Sequence, residues 1–138
     1  MNKNIITGLA ALFLLASASA LALDTSEPVL CASIDVHECV DGGACSDVLP
    51  EDVNAPTFFR IDLKKQTVRV TKSGDPEEAA NFDRLSGRYV LQGVDHGAPD
   101  DTDGVAWSIQ IEEDTARLAA TALTRQAAII IFGACTEY

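Results

Sequence analysis

The stretch VAWSIQIEEDTARLAATALTRQAAIIIFGAC, Val105–Cys135, decides the fold class. It divides into three short runs, Val105–Glu112, Arg117–Thr124 and Ala127–Cys135, parted by Glu113-Asp114-Thr115-Ala116 and by Arg125-Gln126. Each run is rich in apolar and β-branched residues and is bounded by polar turn formers. That is the pattern of successive antiparallel strands, not of helices. The last run is apolar on both faces, which predicts a central or covered strand. It is also too short for a membrane helix.

Working outward, Phe82–Leu85 and Arg88–Gln92 flank Ser86-Gly87, a two-residue hairpin turn. Phe58–Leu63 and Thr67–Thr71 flank Lys64-Lys65-Gln66 in the same way. Leu30, Ala32, Ile34 and Val36 alternate with Cys31, Ser33, Asp35 and His37, the period of a strand with one buried face. The expectation is an all-β domain of about eight antiparallel strands in up-and-down order. A flat sheet of that size exposes an apolar face and two edges, so it is expected to form a small barrel or a sandwich. One departure is Asp75–Asn81, where Pro76-Glu77-Glu78 predicts a turn of helix with Asp75 as N-cap.

The beginning of the chain sets its context. Lys3 is the only charged side chain before Asp24, and Ile5–Ala16 is apolar except for Thr7 and Gly8. Small residues follow, and Ala18-Ser19-Ala20 and Ala20-Leu21-Ala22 both fit the shallow pockets of signal peptidase. Residues 1–22 therefore read as a helical export signal cut after Ala22, with Ala20 as the alternative site. Residues 23–138 read as a single β-barrel-like domain that is periplasmic or secreted. No membrane insertion is expected once the signal is gone.

The chain carries 21 acidic against 10 basic side chains, a formal charge of −11, and loss of Lys3 leaves the exported domain more acidic still. Such a surface repels nucleic acid and anionic lipid, so neither is an expected partner. Its first effect is solubility, and its second is attraction for cations or basic proteins.

Cys31, Cys39, Cys45 and Cys135 make an even count in a small exported domain, which reads as two disulfides with three pairings open. The favoured pairing is Cys39–Cys45 across Gly42-Gly43, with Cys31–Cys135 tying the first strand to the last.

No constellation of residues announces catalysis. His37 near Cys39 and Cys45 lacks a structural-zinc spacing. In the acidic loop, Asp100, Asp101 and Asp103 are the candidate calcium ligands, but the EF-hand register puts Pro99 first and Gln110 last. No resident cofactor is expected otherwise. His96 beside Asp95 has no Gly-x-Ser-x-Gly to work with. Among the aromatics, Trp107 and Tyr89 are the candidate ligand contacts, with Trp107 placed to line a barrel mouth. The reading is a non-enzymatic exported domain that binds a protein or a small ligand. The alternative is a hydrolase or metal-dependent enzyme built on His96 and the aspartates at 95, 100, 101 and 103.

Several segments look familiar as a set: Leu30-Cys31-Ala32, Glu38-Cys39, Gly42-Gly43-Ala44-Cys45, Phe59-Arg60-Ile61-Asp62-Leu63, Leu91-Gln92-Gly93, Trp107-Ser108 and Phe132-Gly133-Ala134-Cys135-Thr136. On these the chain resembles small exported proteobacterial proteins, a likeness that implies export but supplies no mechanism. Ser86-Gly87-Arg88-Tyr89, then Trp107, then Cys135 is also similar to the order found in periplasmic inhibitors of c-type lysozyme. That likeness implies a small barrel and a basic enzyme as partner. The family's Lys-Gly after the tryptophan region is replaced by Ser108-Ile109.

Overall fold

In the computed structural model, which describes residues 23–70, 77–96 and 104–137, most of the described chain is strand. The strands are β1 (Val29–Val40), β2 (Cys45–Asp47), β3 (Phe58–Asp62), β4 (Thr67–Val70), β5 (Glu77–Glu78), β6 (Asn81–Leu85), β7 (Arg88–Asp95), β8 (Val105–Glu112), β9 (Arg117–Leu123) and β10 (Ala127–Glu137). A 3-10 turn, Pro50–Val53, lies between β2 and β3. The segment read as the export signal and the centre of the acidic loop lie outside the described residues. No described helix is long and apolar enough to cross a membrane.

All pairings are antiparallel, in the order β5-β4-β3-β1-β10-β9-β8-β7-β6, with β2 added beside β1. This is an up-and-down meander in which the first strand pairs with the last. Its two outermost strands, β5 and β6, are separated in the chain only by Ala79-Ala80. Residues 77–85 thus serve both ends of one curled, barrel-like sheet, β5 against β4 and β6 against β7. Of the two closures open to the sequence, the barrel-like one is adopted. Glu77 and Glu78 are strand, not helix, because pairing with Thr67 and Val68 of β4 outweighs a weak local helix signal.

The turns follow from their residues. Ser86 and Gly87 both have positive φ, 44° and 81°, the requirement of the two-residue turn whose twist matches its strands. Inside the sheet, alternate residues make the core: Ile61 of β3, Leu91 of β7, Ile111 of β8, Leu118 of β9 and Ile131 of β10 are all buried. Each such side chain contributes about 1.5–3 kcal/mol of burial.

The alternation expected for β1 is interrupted. Val29 and Cys31 face inward, a register shift falls between Ser33 and Asp35, and Val36 faces inward beyond it. Leu30, Ala32 and Ile34 are therefore not on the face of Val36, and Ile34 is 70% exposed. A bulge inserts one residue and so exchanges inner and outer positions. β10 is central, between β1 and β9, yet its outer face is uncovered: Ile129 and Ile131 are buried while Phe132 is exposed.

Two disulfides brace this frame. Cys31 stands directly opposite Cys135 and bonds to it across β1 and β10. Cys39 stands opposite Cys45 and bonds to it across β1 and β2.

Candidate functional site

One end of the sheet's interior is built from small side chains. In β9 the inward positions are Ala120 and Ala122, and they stand opposite Ile109 and Trp107 of β8. On the other side of Trp107 is Gly93 of β7. A Cβ at Gly93 would come 2.2 Å from Cζ2 of Trp107, so the indole lies across β7 in the space that only glycine leaves. Between these residues, Phe59, Val70 and Ile129 is a cavity of about 660 Å³. That is the size range of small-molecule sites, and its walls are mostly apolar.

The rim is held by the bulge in β1. Ser33 N–H donates to the carbonyl of Thr57 at 3.0 Å, and Ser33 Oγ donates to the carbonyl of Pro56 at 2.7 Å. These bonds fix the segment after the 3-10 turn, where Val53, Asn54, Ala55 and Pro56 line the cavity. Asn54 takes the left-handed conformation, φ 53°, and the following N–H of Ala55 donates back to the carbonyl of Pro50. The charged residues of the described lining are Glu51 and Asp95, both acidic.

Trp107 brings the one conspicuous polar anomaly. Its Nε1 is buried and makes no hydrogen bond among the described residues. A buried donor left without an acceptor costs about 1–3 kcal/mol, so the feature is not neutral.

Tyr89 does not join this site. It pairs with Ile111, whereas Trp107 pairs with Gly93 four positions further along β7, roughly 13 Å away. Tyr89 is buried at the other end of the sheet, stacked on Phe82 at 6.2 Å with the Arg84 guanidinium 5.6 Å from its ring centroid. Arg84 also forks onto Glu113, with Nη2 donating to Oε2 at 2.6 Å. None of Phe82, Arg84 and Tyr89 lines the cavity at Trp107.

The Arg84 hydrogen bonds hold the Glu113 carboxyl below its ordinary value, with a smaller push from the Tyr89 hydroxyl. Arg84 is held correspondingly more firmly protonated. A carboxylate depressed in the folded state adds stability above its unfolded-state value and loses that stability as pH falls through the folded-state one. Glu113→Gln is expected to lower the melting temperature at neutral pH and to converge with the parent below the carboxylate range. Melting curves across that range check it, and a gap constant at every pH would contradict it.

The remaining expected residues are scattered. His37 pairs with Asp47 at 2.8 Å and meets the edge of Phe132 at 5.9 Å on the outer face. Its neighbours Cys39 and Cys45 are committed to a disulfide. His96 is exposed at the end of β7. The candidate cation ligands Asp100, Asp101 and Asp103 lie outside the described residues. Among the described residues no three His, Cys, Asp or Glu side chains converge as metal ligands. Of the segment Ser86-Gly87-Arg88-Tyr89, the first two residues form the β6–β7 turn and the last two begin β7.

Sequence reasoning singled out Trp107 but missed Gly93, Ala120, Ala122 and Ser33. The strand read at Arg88–Gln92 in fact continues through Gly93 to Asp95, and a glycine within a strand marks a close approach. No family model matches the chain, and no curated protein or solved structure matches it.

Proposed function

We propose that this chain is an exported, non-catalytic binding domain that takes a small ligand into the open end of its sheet. The observation that carries this reading is the cavity of about 660 Å³ at Trp107, roofed by a rim that Ser33 pins in place. A rigid, disulfide-braced wall of small apolar side chains is the construction of a preformed pocket. Export is supported by the basic start, apolar run and small residues of 1–22, and by two disulfides, which persist in oxidising compartments.

Trp107 is the only tryptophan and sits in the wall, so it reports on its own site. Titration with the neutral dye N-phenyl-1-naphthylamine is expected to quench Trp107 emission saturably, with one dye per chain. Ala122→Leu, which fills the cavity beside Trp107, should weaken that response about ten-fold or more, as expected when a bulky group occupies a ligand's space. A linear response without saturation, or one unchanged in Ala122→Leu, would remove the reading.

A further inference from the structure

We propose that the outer face of the β3–β4 hairpin holds a compact tetrahedral oxyanion of the phosphate type, in a pocket served by Arg69, Lys65 and Thr67. The site is separate from the cavity at Trp107. Phe59 and Val70 pair across β3 and β4 and line that cavity. Arg60 and Arg69, the next pair along, are exposed on the opposite face of the same two strands.

Charge is spread unevenly over this molecule. Residues 58–70 carry four of the chain's 10 basic side chains and one of its 21 acidic ones. A chain of formal charge −11 thus has a basic island on one hairpin. The strand register gathers it. Arg60 stands opposite Arg69 and Asp62 opposite Thr67, and with Pro28 and Lys65 these residues line a pocket of about 240 Å³. Arg60 has an interaction of its own, and the site does not depend on it. The one carboxylate of the lining is engaged by its own turn. Asp62 Oδ1 accepts from the Lys65 N–H at 2.8 Å, and Oδ2 meets Lys65 Nζ at 3.3 Å. Glu78 pairs with Thr67 from β5 but does not line the pocket.

What remains is a set of donors open to solvent. Arg69 is exposed, and its guanidinium makes no hydrogen bond or ion pair among the described residues. The Lys65 side chain is 76% exposed, and an ammonium has three N–H donors, of which Asp62 engages one. Thr67 adds a hydroxyl between them in sequence. Three donors that reach one space from a strand and a turn call for an ion with oxygens in several directions. A phosphate or sulfate group has them, whereas a planar carboxylate offers only two.

Size and screening set the scale of the ligand. The pocket falls below the roughly 300–1,000 Å³ of sites that enclose a whole small molecule, so it takes a group. At physiological salt a charge acts over about 8 Å. A compact ion in the pocket therefore feels the hairpin. A nucleic acid or an anionic membrane extends well beyond it and meets the acidic remainder of the surface.

The test is a titration of the oxidised domain with sodium phosphate at constant ionic strength, followed by amide NMR shifts along β3 and β4. Saturable shifts at Thr67 and Arg69 that fit a single site are expected, with none from sodium chloride. Arg69→Gln should weaken binding about ten-fold or more, the scale of a lost charge-assisted hydrogen bond. Arg117→Gln removes an exposed arginine outside the pocket and should leave binding unchanged. Glycerol phosphate is expected to bind as phosphate does, and phosphatidylglycerol vesicles to bind more weakly than either. The comparison of phosphate with chloride on the parent protein stands even where a variant is poorly folded. Shifts that grow linearly, equal losses in the two variants, or tightest binding to the vesicles would overturn the proposal. None of these results touches the cavity at Trp107, which the dye titration tests separately.

Discussion

Cys135→Ser is expected to lower the melting temperature by roughly 20 °C, and Cys45→Ser by less than half as much. The two bridges differ in what they constrain. Cys31–Cys135 spans a sequence separation of 104 and Cys39–Cys45 one of 6. On the chain-entropy argument the long loop contributes about 4–5 kcal/mol and the short one about 2. Their surroundings widen the gap. Cys31 is fully buried among the core residues of β1, so breaking the bond leaves a thiol and a serine hydroxyl inside the sheet. Cys45 is exposed on a three-residue strand at the margin. The long bridge also joins the two strands, β1 and β10, whose pairing closes first strand onto last. Thermal melts under non-reducing conditions decide the matter. Equal small losses in the two variants would show that strand pairing alone holds that seam.

The second large effect is expected from a single methyl group. Gly133→Ala should destabilise the domain by about 3 kcal/mol or more, a magnitude typical of severe overpacking. A Cβ at Gly133 would stand 2.1 Å from the carbonyl oxygen of Ala32. That oxygen belongs to backbone in the middle of the sheet, and Ala32 is paired on both sides, with Ala134 and with Phe58. It has no room to retreat without breaking one ladder or the other. The same substitution at Gly93 meets the end of the Trp107 ring at 2.2 Å, and a side chain can turn away. Gly93→Ala should therefore spare stability relative to Gly133→Ala. Chemical denaturation of the two variants provides the comparison. Near-parental stability of Gly133→Ala would mean that β1 and β10 lie further apart at the bulge than the structure places them.

These effects show which regions of the molecule were legible in advance. Val105–Glu112, Arg117–Thr124 and Ala127–Cys135 correspond to β8, β9 and β10 within a residue or two at most ends, because strand period and turn chemistry are local. The Ser86-Gly87 hairpin was legible for the same reason: a glycine at positive φ is a local requirement. Trp107 was legible as a candidate but Tyr89 was not separable from it. Both are aromatic residues in neighbouring strands, and only the register puts them at different ends of the sheet.

The sequence by itself determined an all-β chain, the approximate bounds of β8, β9 and β10 and its charge, since each depends on neighbouring residues or on composition alone. Tertiary structure alone decided which faces those strands present. The bulge at Ser33–Asp35 brings Val36 to the inner face and leaves Ile34 outside, and the same Ser33 anchors the rim of the cavity. Ala120 and Ala122 line the cavity, and Gly93 makes room for the Trp107 ring, only because strand pairing brings them to β8. Side chains in a strand alternate with period two, so one inserted residue reverses every face beyond it. A pattern read along the chain carries no record of that reversal until the partner strand is in place.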